Sequence, residues 1–419
     1  MTSGVFEFLR GCGRQVVTGG RAYKAWVAFL LLTIAVGLSF YARQASHGLI
    51  ATNMRDEVSW AFYIGNFTFL VGVAAAAVLL VIPAYVYHWK PIKEVVVLGE
   101  LLAISALVMC LLFILVDMGR PDRFTHILPL LGTPNWPRSL LTWDALVLNG
   151  YLAVNVVLVS YLLFKTYRGE AYDRRIFLPL VLLSIPVSIS THTVTAFLYN
   201  GMAARPFWNA SILAPRFIAS AFCSGPAVMI ILFQVLKRTN GLPIKDEAIW
   251  KIAELMSYAM FLNLFLLGAE LFKEFYSSTE HVLYTQYLWF GIGQHRALVP
   301  YAWFSLFCSF TAFVLFLIPR TRRNLVTLNL GCVLIWAGVY IEKGLGLIIP
   351  GMTPDTLGQI YEYRPTATEW GTAAAVFGIG FLVFTLLVKI AVPILVGTFR
   401  TAENPAGAAP AAPAGFGAH

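Results

Sequence analysis

Ten long apolar stretches follow one another along this chain, and they constrain its fold more than any other feature. Each holds roughly 20 residues or more, the length that an α-helix needs to cross the hydrocarbon core of a bilayer. With 58% hydrophobic and only 12% charged residues, the chain has too little polar surface for a soluble globule. The sequence therefore predicts an all-α integral membrane protein with about ten transmembrane helices. The predicted spans are residues 23–41, 60–87, 94–117, 141–164, 176–199, 211–236, 247–273, 298–319, 325–344 and 371–397.

The distribution of Lys and Arg predicts the orientation of these spans. Basic residues concentrate in every second connection, as in Arg320, Arg322 and Arg323, and such an excess marks the cytoplasmic side. We therefore expect a multi-pass protein of the bacterial inner membrane with both termini in the cytoplasm. The segment before the first span lacks the apolar stretch and cleavage site of a signal peptide. The outer connections are long and rich in aromatic residues, which favours a docking platform over an ordinary cap.

Two helices carry acids at matching positions, which indicates an internal duplication. Glu100 and Asp117 bracket the third span, and Glu254 and Glu270 are similarly spaced in the seventh. The pattern favours two parallel four-helix bundles with two flanking helices. The predicted divisions are a cytoplasmic or interfacial leader at 1–22, the first helix and outer loop at 23–59, a first bundle at 60–199, a second bundle at 200–344, an outer loop and tenth helix at 345–399, and a disordered cytoplasmic tail at 400–419.

The residues that usually hold redox metals are sparse and scattered. The five cysteines form no C-x-x-C pair, which argues against an iron–sulfur cluster or structural zinc in this chain. Among the seven histidines, only His192 lies well inside a span, so a second histidine at matching depth for a haem is not visible. We expect no haem and no iron–sulfur cluster here.

Ionisable side chains inside the spans are the main candidates for function, because each costs about 2.5–3.5 kcal/mol at mid-bilayer on insertion scales. Asp117 ends the third span on the outer side, and Asp144 begins the fourth span there, so the two carboxylates should lie at similar depth. Four more polar side chains fall in the same outer layer. They are Tyr63, Asn66, His192 and Arg216.

Two interpretations of this layer stay open from the residues alone. The groups could simply satisfy one another, with Arg216 neutralising a carboxylate and Asp117 pairing with Arg120 or Arg123. Alternatively, they form a site for a quinone headgroup, whose carbonyls need donors and whose reduction needs two protons. The number of polar groups in one layer favours the site.

Several motifs resemble, in order and spacing, the NrfD/PsrC family of quinone-interacting membrane subunits. Similarity is greatest to its ten-helix branch, which includes DsrP, HmcC and QrcD. The motifs are "DMGRPDRF", "WD", "STHTVTAF", "RPFWNASILAPRFIASAF", "GAELFKEFYSSTEH" and "IEKGLGLIIPGMTPD".

The resemblance implies a membrane subunit of a respiratory redox complex. Such a subunit binds menaquinone or ubiquinone near the periplasmic face, in the first bundle. It exchanges electrons with a ferredoxin-like iron–sulfur subunit docked there, often beside multihaem cytochromes c or a catalytic molybdenum subunit. Proton translocation would be an additional activity of the same chain.

The resemblance and the layer together assign residue roles. Asp117 and Asp144 are expected to exchange protons with the quinone. The expected quinone-binding residues are Tyr63, Asn66, Arg120, His126 and Trp143, and the expected proton path contains Glu100, His192, Arg216, Glu254 and Glu270.

Two other function classes remain as alternatives. An ion-coupled secondary transporter also carries intramembrane charges in repeated bundles, although its repeats are more often inverted and its polar groups lie near the midplane. A membrane anchor without a site of its own would bind no quinone.

Overall fold

The computed structural model describes residues 2–87, 89–93, 95–127, 130–242, 244–279 and 281–399, and within them it confirms a helical membrane protein without strands. Ten helical segments are long and apolar enough to cross a membrane. They are α2 (Arg21–His47), α3 with α4 (Phe62–Ala75 and Val78–Val81), α6 (Val96–Asp117), α7 (Leu140–Tyr167), α8 (Arg174–Asn200), α9 (Leu213–Asn240), α10 (Asp246–Ser277), α12 (Val299–Leu317), α14 with α15 (Leu325–Lys343 and Leu345–Met352) and α16 (Ala367–Leu395).

Shorter elements lie between these spans. They are α1 (Thr2–Val17), a π-helical turn at Ile82–Val86, α5 (Lys90–Lys93), α11 (Val282–Trp289), α13 (Pro319–Arg323) and 3-10 turns at Leu49–Ala51, Pro121–Ile127 and Pro206–Trp208. The predicted outer loop from residue 345 thus begins as helix α15, which extends to Met352. The predicted disordered tail at 400–419 falls outside the described residues.

The connections define two faces of the helix assembly. We call the end that carries segments 48–61, 118–139, 201–212, 278–298 and 353–366 the long-loop face, and the opposite end the short-loop face. Helices begin at the long-loop face where side chains cap their free N–H groups. Ser139 caps α7, and Thr366 and Glu369 form a reciprocal capping box at α16.

Two helices lie at the centre of the assembly. Every residue of α3 is buried, and 78% of the most apolar window of α6 is buried, against 11% for α2. Helix α3 packs against α6 and α8 and also against α9. The α3–α9 contact therefore joins the group α3, α6, α7, α8 to the group α9, α10, α12, α14.

The first and last spans pack against each other. A Cβ atom on Gly37 of α2 would lie 2.5 Å from the carbonyl oxygen of Gly371 in α16, so only glycine permits this close approach. Helix α16 also packs along α6. The tenth span consequently borders the first four-helix group, whereas the sequence predicts only a flanking helix.

Candidate functional site

Asp117 is the last residue of α6, and its half-buried side chain lies next to polar groups from three other helices. Its Oδ1 atom has no hydrogen-bond partner among the described residues. Gln44 of α2 donates to the carbonyl of the adjacent Val116 at 2.6 Å and accepts from the Tyr63 hydroxyl at 2.7 Å. Gln44 therefore holds Tyr63 against the end of α6, within electrostatic reach of the Asp117 carboxylate.

A second carboxylate, Glu369, enters this region from α16. It is fully buried, and its charge is close enough to act on Asp117. Unlike Asp117, Glu369 has many donors, because it accepts from the backbone N–H of Thr366 at 2.8 Å and of Asn53 at 3.1 Å. The Tyr363 hydroxyl also donates to it. Burial, together with the Glu369 charge, raises the pKa of Tyr363 above its usual value, so this phenol remains a donor.

Asp144 lies near the start of α7 and is 2% exposed. Its Oδ1 atom accepts a 2.6 Å hydrogen bond from the Thr195 hydroxyl of α8. One turn further along α8, Tyr199 pairs with Thr68 of α3, and its hydroxyl lies within electrostatic reach of both Asp144 and Asp117. Tyr199 thus lies near both of the carboxylates that the sequence predicts at similar depth. We call Asp117, Asp144, Tyr63, Gln44 and Tyr199 the two-aspartate site.

Asn66 points away from this site. It donates to the carbonyl of Phe62 at 2.7 Å and accepts from the Tyr340 hydroxyl of α14 at 2.7 Å. Tyr63 and Asn66, expected on one face of the helix, therefore contact different neighbours, with Tyr63 directed to α2 and Asn66 to the second four-helix group.

The other three expected quinone-binding residues lie on the long-loop face. Arg120 forms a two-pronged pair with the exposed Asp122, at 3.0 and 2.9 Å, and the Arg120 hydrogen bonds lower the Asp122 pKa. His126 is exposed. Trp143 donates to the carbonyl of Pro137 at 2.7 Å and packs on Trp136 with ring centroids 4.1 Å apart.

A separate cluster of charges lies in the second four-helix group. Arg216 of α9 forms ion pairs with Glu270 of α10 and, at 2.7 Å, with Glu342 of α14. Lys343 Nζ lies 3.1 Å from Glu342, and the Asn263 amide donates to Glu342 at 3.3 Å. We call Arg216, Glu270, Glu342 and Lys343 the four-charge cluster. Two positive and two negative side chains balance there.

The remaining expected proton-path residues are dispersed. His192 is buried with neither ring nitrogen hydrogen-bonded within the described chain, and it is close enough to Lys343 to interact electrostatically. Glu100 is buried in α6 towards the short-loop face, in electrostatic contact with Tyr85 and Tyr151. Glu254 is partly exposed and pairs with Lys251 at 3.3 Å. Of the five residues, only Arg216 and Glu270 are brought into direct contact.

Sequence reasoning missed Gln44 and Tyr199 of the two-aspartate site, the neighbouring Glu369, and two members of the four-charge cluster, Glu342 and Lys343. The last two belong to the quoted motif "IEKGLG", which was the available signal. Within the described part of the chain, no three His, Cys, Asp or Glu side chains are grouped as metal ligands would be. The residues of the two-aspartate site do fit a quinone headgroup, because the unpaired Asp117 oxygen and two tyrosine hydroxyls offer hydrogen-bond partners to its oxygens.

Comparison with known proteins identifies the family. The family described as "Polysulphide reductase, NrfD" matches residues 50–354. The chain is 27% identical to a putative dimethyl sulfoxide reductase membrane subunit of Halobacterium salinarum, over 87% of this chain and 90% of the relative. It is 23% identical to a selenate reductase subunit of Mesobacillus selenatarsenatis, over 88% of this chain and 94% of the relative. With its ten membrane-spanning helices and a family match over most of its length, the chain belongs to the NrfD family of membrane proteins.

Proposed function

We propose that this protein is the quinone-reactive membrane subunit of a respiratory reductase complex. In this proposal, menaquinone or ubiquinone binds at the two-aspartate site and exchanges electrons with an iron–sulfur subunit docked on the long-loop face. The observation that carries the proposal is that Asp117 and Asp144 both lie near the buried Tyr199, and that the buried Asp117 Oδ1 atom is unpaired among the described residues. The names of the two relatives support membership of a reductase complex.

Each residue of the site has a distinct task in this proposal. A bound quinol supplies two electrons and two protons. Asp117 and Asp144 receive or deliver those protons, since a carboxylate within hydrogen-bond reach of a reacting oxygen acts as a general base or acid. The Tyr63 hydroxyl donates to Gln44 and the Tyr199 hydroxyl pairs with Thr68, so both phenol oxygens are oriented to accept from the hydroxyls of a bound quinol. The apolar residues of α3 and α6 exclude water around them.

The long-loop face supports the proposed docking of a partner. Its loops expose large apolar side chains that a soluble surface would not ordinarily group together. They include Ile50, Phe124, Leu131, Trp136 and Leu357, each more than half exposed. An iron–sulfur protein, with a cytochrome c or a catalytic molybdenum protein behind it, would cover this surface. Arg120, His126 and Trp143 are proposed to line the edge between that partner and the quinone site.

Orientation follows from the same proposal. The long-loop face is periplasmic, and both termini are on the cytoplasmic side of the bacterial inner membrane. A proton path would then run from the short-loop face through Glu100, with His192 and the four-charge cluster as a branch in the second group. Glu254 would be its entrance at the cytoplasmic surface.

The test is Asp117→Asn in the intact complex in membranes. Quinol turnover should fall about 100-fold, the size expected for loss of a general acid or base. Assembly of the complex, measured by co-purification of its subunits, should not change. Asp246→Asn is the matched control, because Asp246 is exposed on the short-loop face and pairs with Lys237.

Three outcomes would contradict the proposal. Unchanged quinol turnover in Asp117→Asn would show that Asp117 does not exchange protons with the quinone. Purified protein without bound quinone, in a complex that still assembles, favours the pure anchor. Uptake of a solute by the chain alone in liposomes favours the transporter.

A further inference from the structure

An aromatic groove lies on the second four-helix group, where α10, α11 and α12 meet. Its volume is about 480 Å³, and most of its lining is aromatic: Phe272, Phe275, Tyr276, Trp289, Phe290 and Trp303. Edge-to-face pairs hold these walls in place, with centroids 5.6 Å apart for Phe275 and Phe290 and 5.5 Å apart for Trp289 and Trp303. The groove therefore lies at the long-loop ends of two membrane-spanning helices, where a membrane amphiphile can reach it.

A small cavity with a few charged and polar side chains in a mostly apolar lining adjoins this groove. It has a volume of about 50 Å³ and shares three lining residues with the groove, Leu271, Trp289 and Leu306. Its inner wall is formed by three members of the four-charge cluster, Arg216, Glu270 and Glu342, together with Ser309. Ser309 is 2% exposed, and its hydroxyl has no hydrogen-bond partner among the described residues.

The combination selects a ligand with a flat apolar body and a small polar end. Aromatic walls favour a ring that can pack against them. The cavity admits a single oxygen substituent or a water, so a ring would remain in the groove. The cavity wall carries two carboxylates and one guanidinium, and Lys343 beside Glu342 balances their charge. The wall therefore offers no excess positive charge to a phosphate headgroup, whereas its carboxylates can accept a hydrogen bond from a hydroxyl. The unpaired Ser309 hydroxyl can complete the contact.

We propose that the second four-helix group binds a quinol of its own, separate from the two-aspartate site. The ring lies in the aromatic groove, and one hydroxyl enters the cavity towards Glu270 and Ser309. The inference rests on the proposed function in one respect, that quinone is the membrane amphiphile which this chain handles. It adds a second binding site on the opposite helix group, and electron exchange stays with the first.

Photolabelling of the intact complex with a decyl-tailed azidoquinol, kept in its reduced form, tests this directly. We expect two labelled regions, one in the first four-helix group and one within residues 271–306. Excess unlabelled decylquinol should remove both. Leu306→Trp fills the junction between groove and cavity and should lower labelling of the second region about tenfold while labelling of the first stays unchanged. The matched control is Leu317→Trp on the same helix, at a lipid-exposed position outside the groove.

Ser309→Ala provides an independent variant, because it removes one hydroxyl without adding bulk. It should weaken competition by unlabelled decylquinol at the second region by about three- to tenfold, the loss expected for one buried hydrogen bond. The proposal is overturned if label within 271–306 is not displaced by decylquinol, if phospholipid displaces it equally well, or if neither variant alters it. Absence of label from the first group alone would instead contradict the proposed function.

Discussion

The two four-helix groups both bury acidic side chains, but they differ in how those acids are neutralised. Within the described residues, Asp117 and Asp144 have only uncharged hydrogen-bonding neighbours or a further carboxylate. Glu270 and Glu342 are paired with Arg216 and Lys343. A buried acid without a counter-ion can change its protonation during a reaction, whereas one held by cations keeps the helices together. In the proposed function, the acids without a counter-ion exchange protons, whereas the paired acids hold the second group together.

Arg216→Leu should produce the largest effect and breaks the second half of this comparison. It leaves Glu270 and Glu342 with Lys343 alone, and loss of one member of a buried ion pair typically costs about 3–5 kcal/mol. Thermal unfolding of the protein in mild detergent should show a clearly lower midpoint. Arg138→Leu, at an exposed loop position, is the control. A midpoint equal to that of the control would mean that the cluster is not structural.

Asp144→Asn tests the first half of this comparison, the proposed role of the acids without a counter-ion. Quinol turnover in membranes should fall about 100-fold, since Asn cannot exchange a proton. The thermal midpoint should stay close to that of the unsubstituted protein, because Asn can still accept from Thr195. A variant that lost stability as severely as Arg216→Leu, with turnover per folded molecule unchanged, would reverse the roles of the two groups.

Gln44→Leu should have a smaller effect on the same reaction. It removes both the acceptor of the Tyr63 hydroxyl and the donor to Val116, but no group that touches the substrate directly. Because Gln44 positions Tyr63, we expect the KM for quinol to rise about tenfold while kcat changes less. Gln44→Glu, which keeps an acceptor for Tyr63, should restore part of the KM. Equal loss in both variants would show that Gln44 has only a packing role.

Tyr340→Phe should have the smallest effect. It removes the one hydrogen bond between Asn66 and α14, which is worth about 1 kcal/mol of stability. Turnover should change by no more than about twofold, because Asn66 faces away from the two aspartates. A large loss of turnover would instead support the prediction from the sequence that Asn66 binds quinone.

The sequence was sufficient for the ten spans, because hydropathy over about 20 residues depends only on local composition. It also indicated Asp117 and Asp144, since both are acids at the ends of consecutive spans. The ion pairs between helices could not be predicted from the sequence in the same way. Glu342 and Lys343 are adjacent at the end of a span and resemble ordinary interfacial charges, and nothing local indicates that both are buried against Arg216.

The contribution of the last span to the surroundings of Asp117 could not be predicted from the sequence, for a related reason. Hydropathy puts Glu369 in the outer loop, because the predicted tenth helix starts only at residue 371. The capping box extends that helix back to Ala367 and turns Glu369 inward. Gln44 likewise lies beyond the predicted end of the first span at 41, and α2 continues to His47. In both cases a few polar residues lengthen the helix past its apolar core, where hydropathy carries little information.

The close packing of α2 on α16 has a consequence for biosynthesis. The surroundings of Asp117 include Gln44 from the first membrane helix and Glu369 from the last, and glycines at 37 and 371 fit the two helices together. A nascent chain that has inserted nine helices therefore still lacks one wall around Asp117. The surroundings of Asp117 are completed only when translation has delivered α16, so by the proposed function a chain interrupted early would lie in the membrane without a complete quinone site.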